Sequence, residues 1–184
     1  KVITMGAVTG RMVHADPNMA NIVANHKPYG EDSRSCWTVP DDKHVLVGMD
    51  AKGLELRMLA HYMKDDKYTH EVLEGDPHTY NQELVGLPTR NAAKTFIYAF
   101  IYGAGNEKIG SIVNGSSSDG KRIREKFLSS LPKLDKLIKS VQRHSTRGYI
   151  RGIDGRRIMI RRAHAALNTL LQGGGAICCK QWSI

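Results

Sequence analysis

The chain predicts a mostly helical α+β fold, and three observations carry that expectation. Apolar residues recur at helical spacing through residues 90–102 and again through 123–141. Stretches with strand character are few and short, at 45–49 and within 149–160. Residues 1–40 are rich in Gly, Pro and Asn and show little periodicity. A chain of 184 residues with 41% hydrophobic content can bury one good core.

Residues 1–40 read as extended segments and turns. Residues 45–49 are apolar and partly β-branched, which predicts a buried strand ended by Asp50. Gly53 breaks that pattern, and residues 54–61 open a helix. Residues 65–89 carry short helices broken at Gly75-Asp76-Pro77 and at Gly86-Leu87-Pro88. Thr89 is the expected N-cap of a helix over 90–102, and Gly103-Ala104-Gly105 its end. Residues 114–120, Gly- and Ser-rich, read as a flexible surface loop. Beyond it Ile123, Phe127, Leu131, Leu134, Ile138 and Val141 mark an apolar stripe. Pro132 splits the stripe into two helices, with Ser130 near the cap. Residues 149–160 predict a hairpin turning at Asp154-Gly155. Residues 163–182 predict a helix interrupted at Gly173-Gly174-Gly175.

The helix over 90–102 carries the most chemistry. Arg90, Lys94, Tyr98 and Tyr102 stand four residues apart, so they form one stripe about three turns long. Two cations followed by phenol rings suit a triphosphate with a sugar and base behind it. Phe96, Ile97, Phe100 and Ile101 fall elsewhere on the helix and predict a buried side. A half-buried helix with a solvated basic edge accounts for any one of these residues. It does not account for cations at one end and aromatics at the other. Asp50, at the end of a strand and before a helix, is placed either for a metal ion or for an N-cap.

Net charge is +9, from 27 basic and 18 acidic residues, which fits a polyanionic partner. Cys36, Cys178 and Cys179 form no C-x-x-C pair, which argues against zinc and for free buried thiols in a reducing compartment. No apolar run approaches the ~20 residues of a membrane span. The chain begins with Lys1 and stops within an apolar, helix-like run over 176–184, so both ends read as cut and the chain as an internal fragment.

Asp50-x-x-x-x-Glu55-Leu56-Arg57 resembles motif A of the family A DNA polymerases, and Arg90-x-x-x-Lys94-x-x-x-Tyr98-x-x-x-Tyr102-Gly103 resembles their motif B, the O helix of the fingers. Thr9-Gly10-Arg11 with Asp16-Pro17-Asn18-x-x-Asn21-Ile22 resembles the segment before motif A. Gly155-Arg156-Arg157 and Asn168-x-x-x-Gln172-Gly173 resemble the segment after the fingers. Four ordered motifs at plausible spacings cover nearly the whole chain, and the wording is most similar to the replicative polymerases of short-tailed phages.

That resemblance implies a partial palm and fingers of a right-hand polymerase. Residues 1–64 would be partial palm with motif A, 65–148 fingers including the O helix, and 149–184 a return to the palm that stops before motif C. Asp50 and Lys94 would be catalytic. Arg90 and Lys94 would hold the triphosphate with His78 as a third contact, and Tyr98 would pack on sugar and base. Glu55 would fill the space of a ribose 2′-hydroxyl and accept a hydrogen bond from the Tyr98 phenol. Arg11, Tyr102 and Gln172 would touch primer–template DNA. Asp50 and the Ala51 carbonyl would be metal ligands for two magnesium ions. Two +2 charges ~4 Å apart repel by about 4 kcal/mol even at the dielectric of water, so a second carboxylate is needed. In the family it sits in a later His-Asp motif, and the chain contains no His-Asp pair. The implied partners are primer–template DNA and dNTPs, with a processivity factor left open and no membrane. The implied location is the cytoplasm of a phage-infected bacterium. Two other readings stand beside this one: a non-catalytic nucleic-acid-binding relic, and a fragment of a single-subunit RNA polymerase. Glu55 argues against the latter, and the intact Asp50, Arg90, Lys94 and Tyr98 against the former.

Overall fold

The computed structural model describes residues 1–183. Ile184, the last residue of the run expected to stop uncapped, lies outside the described residues. The chain divides into two compact units, Lys1–Lys52 and Gly53–Ile184. Helix dominates, and the only sheets among the described residues are two two-stranded ones, so the expected α+β, mostly helical class holds.

The first unit is thinly cored. Strand β1 (Val2–Ile3) pairs antiparallel with β2 (Val13–His14). Helix α1 (Gly30–Ser35) follows, and Arg34 Nε donates to the Val23 carbonyl at 3.1 Å. The strand expected over 45–49 is absent. A strand satisfies its backbone only through a neighbour, and no described strand pairs with this segment. Its side chains are correspondingly unburied, with Val45 80% and Val47 79% exposed.

The second unit is a helical assembly whose starts are written locally. Helix α2 (Leu54–Met63) follows Gly53, which adopts φ +62°. Asp65 caps α3 (Asp66–Leu73) by accepting the Tyr68 N–H at 3.0 Å. Asp76 caps α4 (Pro77–Val85), and Thr89 caps α5 (Arg90–Ile101) by accepting the Ala92 N–H at 3.1 Å. Helix α6 (Asn106–Ser111) packs on α7 (Ser117–Ser130). The loop expected over 114–120 is shorter than its composition suggests. Ser116 and Asp119 form a reciprocal capping box, so the serine run opens α7. Pro132 begins α8 (Pro132–Ser145), and Leu131, not Ser130, is the residue between the two helices. Strands β3 (Tyr149–Arg151) and β4 (Arg157–Met159) form the expected hairpin, with Ile150 opposite Ile158 and Gly155 at φ +80° in the turn.

Helix α9 (Ala166–Trp182) runs straight through Gly173-Gly174-Gly175, where an interruption was expected. The glycines serve packing. A Cβ on Gly174 would stand 2.8 Å from Met58 Sδ, and one on Gly175 would stand 2.9 Å from Leu54 Cδ2. The lack of a Cβ at these positions lets α9 approach α2 closely, although glycine lowers helix propensity.

The main core joins Leu56, Leu59, Tyr68, Phe96, Ile97, Phe100, Phe127, Leu134 and Leu171. Phe96, Ile97, Phe100 and Ile101 are all buried, which settles which side of α5 faces inward. A smaller cluster of Val141, Ile150, Ile158, Ala166 and Leu170 seats the hairpin. The three thiols are free, as expected, but not buried: Cys36 and Cys178 are exposed and Cys179 is half-buried. None of the described helices is long and apolar enough to cross a membrane.

Candidate functional site

Helix α5 is anchored by its apolar side, and the other side is left open. Arg90, Lys94 and Tyr102 are exposed and Tyr98 is half-buried, so the stripe of cations and phenols lies on the open face. Thr89 fixes where that face begins, because its hydroxyl holds the first turn. Tyr102 is the C-cap residue, and Gly103 turns the chain away at φ +75°.

Other elements bring further groups to this face. His78 lies in the first turn of α4, and its ring centroid is 6.1 Å from that of Tyr98. Burial lowers the His78 pKa, and the positive charges of Arg90 and Lys94 lower it further, while Asp76 opposes them. His78 Nδ1 is buried with no hydrogen-bond partner among the described residues. From α2, Glu55 adds its charge to the Tyr98 environment: the phenol pKa is raised first by burial, then by Glu55 and Tyr102. The expected Glu55–Tyr98 hydrogen bond is not present among the described residues, and the nearby Glu55 charge adds to the rise of the phenol pKa. At the far end, Gln172 Nε2 from α9 donates to the Tyr102 hydroxyl at 3.0 Å.

Seven residues singled out from sequence therefore connect within the second unit: Glu55, His78, Arg90, Lys94, Tyr98, Tyr102 and Gln172. Arg11, Asp50 and Ala51 belong to the first unit. Arg11 and Asp50 are exposed there, Ala51 is half-buried, and the Arg11 carbonyl accepts the Ala7 N–H at 3.2 Å.

Asp76 is the functional candidate that sequence reasoning passed over. Its carboxylate receives Arg90 Nε at 2.5 Å and Arg90 Nη2 at 3.1 Å. The Arg90 hydrogen bond, with lesser help from Thr79 and the His78 amide, holds the Asp76 carboxyl well below the usual carboxylate range. The same bond raises the Arg90 pKa. The spelling Gly75-Asp76-Pro77 marked a break between helices but gave no sign of a partner fourteen residues on from Asp76.

Asp50 and the Ala51 carbonyl are hard oxygen donors of the kind magnesium prefers. No three His, Cys, Asp or Glu among the described residues stand together as a metal cluster.

The sequence model of DNA polymerase family A matches residues 1–184. The chain belongs to DNA polymerase family A. It is 45% identical to the DNA-directed DNA polymerase of Escherichia phage T7 over 97% of its own length, and equally so to that of Enterobacteria phage T3. It is 30% identical to the thermostable DNA polymerase I of Thermus aquaticus over 81% of its length. The chain spans 29% of the phage relatives and 19% of the Thermus one. Its fold matches the POL domain of Pol1 from M. smegmatis, solved in complex with DNA primer-template and dNTP, at a TM-score of 0.79 and 21% identity. That match covers 98% of this chain and 35% of the other.

Proposed function

We propose that this chain is the nucleotide-selecting part of a template-directed DNA polymerase, which adds deoxynucleotides to a primer 3′ end. Residues 1–64 form part of the palm, 65–148 the fingers, and 149–184 the return to the palm. The observation that carries this is the open face of α5. It sets Arg90, Lys94, Tyr98 and Tyr102 in line, with His78 against Tyr98 and Glu55 acting on the Tyr98 phenol.

Each role follows from the group. Arg90 and Lys94 hold the triphosphate through charge-assisted hydrogen bonds, and Lys94 offsets charge that builds on the leaving pyrophosphate. His78, kept from protonating by burial and by its cationic neighbours, contributes a neutral ring. Tyr98 lays its ring on the sugar and base. Glu55 takes up the space beside the sugar, so an incoming 2′-hydroxyl meets a carboxylate and not a void. Tyr102 and Gln172, already paired, meet the primer–template duplex, as does Arg11. Magnesium falls to Asp50 and the Ala51 carbonyl together with a second carboxylate, which the family resemblance places in a later His-Asp motif. The site of action is the cytoplasm of an infected bacterium, with a processivity factor as a further partner.

The test is binding. The chain should bind dNTP, and Lys94→Ala should weaken that binding by about tenfold or more, since a hydrogen bond to a charged group contributes roughly 1.5–3 kcal/mol. Primed duplex DNA should bind without sequence preference and with a steep salt dependence. Nucleotide binding that ignores Lys94→Ala, or a flat salt response, rejects the assignment.

A further inference from the structure

We propose that Asp76 is a positioning residue of the nucleotide site, fixing the Arg90 guanidinium so that its free edge faces the phosphates. The inference rests on the triphosphate reading of α5. Asp76 joins two helix starts with one carboxylate. On the α4 side, Oδ1 accepts the His78 N–H at 3.0 Å and Oδ2 accepts the Thr79 hydroxyl at 2.8 Å. On the α5 side, Oδ2 accepts Arg90 Nε and Oδ1 accepts Arg90 Nη2. Both oxygens are thus shared between the α4 cap and Arg90.

The geometry decides between an anchor and a competitor. A guanidinium offers five N–H groups in a rigid fork. Asp76 takes Nε–H and one N–H of Nη2, which is one edge. The second N–H of Nη2 and the Nη1 N–H parallel to it form another edge, itself matched to phosphate oxygens. The anion that holds Arg90 therefore leaves a bidentate edge for a second anion. An unanchored arginine would lose rotamer freedom at each binding event, and Asp76 removes that loss beforehand. The pair is surface-accessible, with Arg90 52% exposed, so a phosphate can reach it. Through the His78 amide the same carboxylate also sets the start of α4, whose ring leans on Tyr98.

Asp76→Asn separates the two duties. Asparagine caps a helix as well as aspartate does, but it cannot accept two guanidinium N–H groups as an anion. The probes are a dNTP and inorganic triphosphate, titrated into the full chain, with thermal unfolding measured on each variant. Asp76→Asn should leave the unfolding midpoint in place and weaken both probes about three- to tenfold. In the Arg90→Ala background the same change should weaken neither further, because Asp76 acts through Arg90. Tighter binding by Asp76→Asn would make Asp76 a competitor and overturn the proposal. Unchanged binding would reduce it to a cap, and an additive loss in the Arg90→Ala background would show another route. Failure of the unaltered chain to bind either probe would instead overturn the triphosphate reading, and this proposal with it.

Discussion

Phe127→Ala should unseat the open face of α5 without touching it. Phe127 is fully buried on α7, and its ring meets Phe96 and Phe100 edge-to-face, each at 5.1 Å between centroids. Both partners belong to the inner side of α5, so Phe127 is the floor on which the stripe rests. Truncating a buried phenylalanine costs about 3–5 kcal/mol, and each edge-to-face pair adds about 0.5–1.5 kcal/mol beyond burial. A loss of about 4–8 kcal/mol is then expected, against the 5–15 kcal/mol that domains usually hold. For a chain of this length that corresponds to a fall of roughly 10–30 °C in the unfolding midpoint. Phe127→Leu, which keeps most of the volume, should cost about 1–2 kcal/mol and remain folded. Leu73→Ala is the control, since Leu73 is 48% exposed and should change stability by about 0.5 kcal/mol or less. Circular dichroism melts of the three variants decide the matter, and dNTP titration of Phe127→Leu reads the effect on the face. If Phe127→Ala melts where Leu73→Ala does, α5 is not held by this aromatic cluster and the packing argument fails.

Two further outcomes follow from the same contacts. Gly175→Val should destabilise the protein by about 1–3 kcal/mol in urea unfolding, because its Cβ would press on Leu54 at 2.9 Å and the side chain beyond it has no room; a neutral result would mean that α9 does not need the close approach to α2. The His78 ring should titrate below its ordinary 6.5 in an NMR pH series, since burial and two nearby cations disfavour its charged form. With the folded value depressed, the unfolded chain binds the proton more readily, so this group's contribution to stability is present above about pH 6.5 and is lost as pH falls through the folded value. An NMR midpoint at or above 6.5 would remove the reason for treating His78 as neutral.

What could be read in the sequence and what could not divide along one physical line. The face of α5 was legible because everything that sets it is local: Thr89 caps it, Gly103 ends it, and the four-residue step aligns Arg90 with Tyr102. The capping box at Ser116 and Asp119 was equally local, and it was hidden only because a serine run suggests a loop. The glycines at 174 and 175 were misread because their reason, the nearness of Met58 and Leu54, lies on another helix. The Asp76–Arg90 pair was missed on the same ground, since neither residue's own neighbourhood names the other. Residues 45–49 and 97–101 make the sharpest comparison, because both are strongly apolar stretches ahead of a candidate site residue. The second forms its element from its own backbone, each N–H finding a carbonyl one turn back. The first can become a strand only when a separate segment supplies a ladder, and no described residue does so. Its apolarity is therefore a statement about a partner, whereas that of α5 is a statement about α5. That is why the stripe on α5 could be assembled from local sequence alone, while the setting of Asp50, at the end of the stretch without a strand partner, could not.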